Sequence, residues 1–210
     1  MTRLAALARE PGLQLGMRGL GEAGWGLAAL GGRMVELSGD GATGASVTLA
    51  MGVVAEAHAV GEPAAWVWTG SGVFFPPDAA AGGVDLEALV VVRVGDVRAG
   101  GRAADRLLRS GGFGVVVLDV GDGAAAGRAL TPALLARLQA LAERHRATLL
   151  CLTDKKDDEA SLGGGVSLRV TSRRVREGAG WVCEVAARKD RRSGPGWQNR
   201  EVVRGTPGLR

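Results

Sequence analysis

Short apolar runs alternate along the chain with longer stretches whose apolar positions return every three to four residues, the pattern of strands alternating with helices. Met34-Val35-Glu36-Leu37 predicts a short strand, broken by Ser38 and the glycine-containing turn Gly39-Asp40-Gly41-Ala42-Thr43-Gly44. Ala45 to Val60 has no proline and few polar residues, which predicts a mostly buried helix. Ala64 to Thr69 predicts a second buried strand ending at Gly70; a loop with Pro76 and Pro77 follows, and Leu89 to Val94 predicts a third strand. Arg102 to Ser110 predicts a helix, with Ala103, Leu107 and Ala104, Leu108 at i, i+4 spacing. Phe113 to Val120 is the strongest strand, apolar throughout as a central parallel strand covered on both faces must be. Thr131 and Pro132 supply an N-cap and a first-turn proline. The helix they open runs to about His145 and places Leu134, Leu135, Leu138 and Leu141 on one face. Thr148 to Thr153 predicts another buried strand.

After Asp154 the pattern changes. Lys155 to Glu159 reads as a charged loop and Gly163-Gly164-Gly165 as a flexible one. Val166 to Arg176, Trp181 to Ala187 and Glu201 to Arg204 then alternate like antiparallel strands joined by turns. The expected fold class is α/β: a mainly parallel sheet flanked by helices, with an antiparallel C-terminal extension. With no internal repeat and no long linker, residues 1–210 are expected to form one domain. Its parts are an N-terminal segment (1–30), a core (31–165) and a basic β extension (166–210).

Composition narrows the class. The 35 glycines follow no three-residue period, which excludes a collagen. No apolar run reaches the roughly 18 to 20 residues of a membrane helix. Met1 to Glu10 lacks the long apolar stretch of a signal peptide, so a cytoplasmic location is expected. Cys151 and Cys183 lie in apolar, strand-like runs and predict buried free thiols. His58 and His145 are the only histidines, both in helix-like contexts, so no zinc site and no other metal is expected.

The formal charge of +4 is unevenly spread. Residues 1–165 hold 15 basic and 18 acidic side chains, whereas residues 166–210 hold 11 basic and 4 acidic. Such a basic tail predicts contact with nucleic acid or an acidic protein. Its candidate surface is Arg173, Arg174, Arg176, Arg188, Lys189, Arg191 and Arg192, with Trp197 as an anchor.

The strand, glycine turn and helix at 34–60 form the arrangement that binds phosphates through backbone N–H groups and a helix N-terminus. Gly39 and Gly44 have the spacing of G-x-x-x-x-G-K-[ST], Gly41 lies between them, and Ser46 holds the magnesium-binding hydroxyl position. Ala45 stands where the lysine belongs. Losing that ammonium weakens phosphate binding about ten- to a hundredfold, and weakens phosphoryl transfer further. Asp119, ending the strongest strand, has the position of a magnesium-holding aspartate. Thr69-Gly70-Ser71-Gly72 after the second strand offers no carboxylate to activate water. The site is therefore read as a degenerate nucleotide site, with no catalytic residue and no ATP or magnesium cofactor.

In their order, the strand, degenerate phosphate loop, helix, strand, Gly83-Val84-Asp85 and FGVVVLDV resemble the ATPase core of the RecA recombinase family. Thr148 to Asp154 looks like that core's sensor strand, and residues 185–192 are similar to its basic strand, which contacts nucleotide across a filament interface. The resemblance covers roughly residues 30 to 205. The regions after Val120 and Asp154 are shorter than a recombinase's two DNA-binding loops, which makes the chain similar to the ImuA family of RecA-like accessory proteins. That family implies an SOS-induced protein of mutagenic translesion synthesis, with partner binding in its C-terminal part. The partners it implies are the ImuB-type polymerase homologue, an error-prone C-family polymerase, RecA and single-stranded DNA. Two alternatives are a weak DNA-stimulated ATPase, with Lys155, Lys156 or an arginine in trans replacing the lysine, and a SulA-like inhibitor of cell division.

Overall fold

Val115, Val116, Val117 and Leu118 are wholly shielded from solvent, and the sheet is laid out around them. Each such side chain contributes about 1.5–3 kcal/mol by leaving water, which is why this run takes the centre. The computed structural model describes residues 24–39, 45–70, 76–178 and 180–203. Its strands are β1 (Met34–Gly39), β2 (Ala64–Trp68), β3 (Leu89–Arg93), β4 (Val115–Asp122), β5 (Thr148–Asp154), β6 (Leu168–Glu177), β7 (Gly180–Asp190) and β8 (Gln198–Val203). Among the described residues they form one eight-stranded sheet in the order β3-β2-β4-β5-β1-β6-β7-β8. All pairings from β3 to β6 are parallel, and β6-β7-β8 is antiparallel. The α/β architecture with an antiparallel extension is therefore as the sequence predicts.

Helices cover both faces. Short α1 (Leu27–Leu30), α2 (Ser46–Ala59) and α3 (Pro76–Ala81) belong to one side, where Leu49, Val53 and Ala57 of α2 pack on Val35, Leu37 and Trp66. On the other side α4 (Val97–Ser110), α5 (Gly123–Ala129) and α6 (Pro132–His145) pack Leu108, Ala126 and Leu138 on Val116, Leu118 and Leu149. The α6 start is as predicted, with Thr131 Oγ1 accepting from the Leu134 amide. Cys151, on β5, and Cys183, on β7, are buried free thiols.

Several local expectations are corrected. Pro76 and Pro77 open α3 rather than a loop, because proline suits a first helical turn whose N–H groups have no partner anyway. Helix α4 starts at Val97, not Arg102. Asp96 caps it by accepting from the Ala99 amide at 2.6 Å. Gly100 and Gly101 also serve close packing: a Cβ would stand 2.8 Å from Thr69 at Gly100, and 2.8 Å from Leu130 and Leu134 at Gly101. Strand β4 begins at Val115 and runs on to Asp122, with a register shift between Asp119 and Gly121. Helix α5 was not expected, and β8 starts three residues earlier than predicted.

Candidate functional site

The chain leaves β1 for the α2 side of the sheet and leaves β4 for the α6 side, and such a switch opens a crevice at the strands' carboxyl ends. Here the crevice is lined by Ser46, Val47, Asp119, Gly121, Leu152, Thr153 and Asp154, and encloses about 90 Å³. Small-molecule pockets usually run to about 300–1,000 Å³. Gly39 ends β1 beneath it and is buried. Gly41, Gly44, Ser71 and Gly72 lie outside the described residues.

Ala45 is the N-cap of α2 and makes no side-chain cap. The Ser46 hydroxyl lies 3.0 Å from that of Ser172 on β6, which donates to the Ser38 carbonyl at 3.0 Å. With the Ser172 proton committed to Ser38, Ser46 must donate to Ser172, so its lone pairs are what remain for the crevice. Burial pushes the Asp119 carboxyl up to about 6, a Gly121 amide opposes this, and the Asp154 charge raises it further. Thr69 anchors the end of β2 by donating from its amide and hydroxyl to the Asp119 carbonyl.

The two lysines next to the crevice have separate fates. Lys155 is buried, with its ammonium 2.9 Å from Glu36 and donating to the Ala160 carbonyl at 2.9 Å. Glu36, fully buried on β1, also accepts from Ser161 and the Leu162 amide. Lys155 is thus held to the core, whereas Lys156 is exposed. The described part of the crevice is small, acidic and without a lysine at its helix N-terminus. Among the described residues no lysine or arginine lines the crevice to meet a phosphate's charge, and residues 40–44, the rest of the glycine turn, lie outside them.

The structure divides the predicted basic surface into two groups. Arg173, Arg174 and Arg176 lie beyond the carboxyl ends of the parallel strands, whereas Lys189 and Asp190 pair with Arg169 and Leu168 at the opposite end. Arg176 pairs with Trp181, and Arg188 lies seven residues further along β7, roughly 23 Å away at strand rise. Most of these side chains bind their own fold. Arg173 pairs with Glu184, Arg174 donates to Thr48, and Arg188 holds Asp157 and Thr171. Arg191 donates to the Gly164 carbonyl and Arg192 to the Gly31 carbonyl. Lys189 is half-buried, and burial lowers its ammonium below the usual range, with Arg191 adding to this.

Trp197 is likewise turned inward. Its ring packs on the core and its indole N–H donates to Asp190 at 2.9 Å. Asp190 also receives Arg33 at 2.5 Å, with both side chains almost wholly buried. Burial alone would push the Asp190 carboxyl up. The hydrogen bonds from Arg33, Trp197 and the Arg192 and Ser193 amides together hold it below the ordinary carboxylate range. Sequence reasoning missed Arg33 and Glu36. A lone ionisable residue beside or within an apolar strand was the available signal.

The strand order, the crevice and the antiparallel extension define an α/β protein of RecA-like fold. Among solved structures, the chain superposes on that of the RadB recombinase with a TM-score of 0.60 and 16% sequence identity, covering 81% of this chain and 87% of that one. A likeness at that identity is one of fold. No family model matches the sequence, and no curated protein matches it.

Proposed function

We propose that this chain is a non-catalytic accessory protein of the ImuA kind, acting in error-prone translesion DNA synthesis by recruiting or regulating polymerases at damaged DNA. One observation carries the reading: a RecA-like frame surrounds a crevice without its cation, since Ala45 has none and Lys155 is bound to buried Glu36. A frame preserved without its phosphate chemistry suits a protein that works by contact. Titration with Mg-ATP, with phosphate release followed in the presence of single-stranded DNA, tests it. No binding at millimolar ATP, no turnover, and co-purification with an ImuB-type polymerase homologue or an error-prone C-family polymerase are expected. DNA-stimulated turnover would replace it with an ATP-driven reading.

That second reading, a weak DNA-stimulated ATPase, is favoured by exposed Lys156 two residues beyond Asp154. It predicts turnover that Lys156→Ala abolishes and Lys155→Ala does not.

A further inference from the structure

The helices on the two faces of the sheet differ in charge, although Arg174 of β6 also reaches α2 at Thr48. Residues 34–92, which supply α2 and α3, contain no Lys or Arg, and Glu56, Glu62, Asp78, Asp85 and Glu87 lie there. Helices α4 and α6 on the other face carry six arginines against Asp105 and Glu143. Asp105 is buried and already holds Arg109 at 3.0 Å and Arg137 at 2.7 Å. Glu143 accepts from Gln139.

Arg98, Arg102 and Arg106 on α4 are all exposed, and no hydrogen bond or ion pair joins them to a described residue. Their i, i+4, i+8 spacing sets them about 6 Å apart in a row, within an arc of about 80°. The opposite side of α4 is fixed to the sheet by Ala104 and Leu108. The row is therefore carried on a rigid element.

We propose that the outer face of α4, with Arg98, Arg102 and Arg106 as its row of contacts, binds the phosphate backbone of nucleic acid. The choice of occupant rests on what accompanies the charge. A protein interface needs an apolar centre, often aromatic, to supply its energy. Among the described residues, the exposed large apolar side chains are Val47, Val60, Leu86, Val90, Val91 and Trp181, and none lies on α4 or α6. A polyphosphate chain needs only cations at regular spacing, because counterion release drives its binding. The acidic opposite face fixes the orientation of approach. This surface stands apart from the accessory reading, which is decided by ATP turnover and polymerase co-purification.

Fluorescence anisotropy of a labelled single-stranded oligonucleotide, titrated with the full chain at several salt concentrations, tests the assignment. Arg98→Ala/Arg102→Ala/Arg106→Ala should weaken binding roughly tenfold or more at low salt and flatten the log–log salt slope by about 2. The same three positions changed to Lys should restore most of it, and single Arg102→Glu offers a second variant should the triple fail to fold. Arg173→Ala/Arg174→Ala/Arg176→Ala should bind within about twofold of the unaltered chain, a surface change away from the contacts. No binding by the unaltered chain, or an undiminished affinity in the α4 variants, overturns the proposal. Displacement of the oligonucleotide by polyglutamate as efficient as by unlabelled DNA overturns it in favour of an acidic protein.

Discussion

Arg33, Arg191 and Arg192 direct their guanidinium groups onto the chain's own oxygens, whereas Arg98, Arg102 and Arg106 extend theirs into solvent. Counted along the sequence, the C-terminal 45 residues are the basic region and the core is slightly acidic. Counted in the fold, much of the tail's charge is spent on Glu184, Asp157, Glu177 and on carbonyls, whereas three exposed arginines without a partner among the described residues lie in a row on α4. A basic segment is thus no guide to a basic surface until its internal partners are known.

The largest test of that contrast is Asp190→Ala. It leaves Arg33 buried beside no anion, and breaking such a pair costs about 3–5 kcal/mol. Urea unfolding should show it as a large drop in midpoint; a drop under about 1 kcal/mol would mean the pair contributes only what an exposed one does.

Asp119 is the reverse case, a carboxyl buried with no cation in reach. Its folded pKa of about 6 lies above the ordinary aspartate value of 3.8, so the fold binds the proton more tightly than the unfolded chain does. Stability must then fall as pH rises from about 4 toward about 7, by on the order of 2 kcal/mol. Glu201, which burial raises to about 7 with Glu56 adding to this, acts in the same direction. Asp119→Asn should match the unaltered chain near pH 4 and exceed it near pH 8, by about that amount. Parallel stability curves for the two proteins would remove Asp119 as the cause.

Smaller effects complete the series. Arg192→Ala frees the α1 carbonyls it holds and should cost about 1 kcal/mol in thermal unfolding. Arg173→Ala breaks a solvent-exposed pair with Glu184 and should cost about 0.2–1 kcal/mol, less in high salt. Arg102→Ala should fall within about 0.5 kcal/mol of the unaltered chain, a surface change touching nothing. If Arg102→Ala destabilised more than Arg192→Ala, the division between working and idle arginines would be wrong.

Where the local pattern and the tertiary environment agree, the sequence is legible. The run from Val115 to Leu118 is read correctly because a strand covered on both faces leaves no polar position. Thr131-Pro132 is read correctly because capping is settled by its own neighbours. The start of α4 is misread because two glycines look like a break, and only the sheet and α6 beneath them show why they are tolerated. At the crevice, Ala45 is plain in the sequence, but the binding of Lys155 by Glu36 joins residues 119 positions apart. The Arg33–Asp190 pair spans 157 positions, and local periodicity carries no trace of either.

Cys151 sits in the parallel body and Cys183 in the antiparallel extension, and burial pushes both thiols up from their usual range. Neither can be alkylated at an appreciable rate until the strand carrying it opens. The chain therefore contains two timers of native-state breathing, read by iodoacetamide labelling and mass spectrometry. Equal labelling rates would mean that β5, β1, β6 and β7 come apart as one unit. Faster labelling at Cys183 would mean that the extension peels away while the parallel body stays closed.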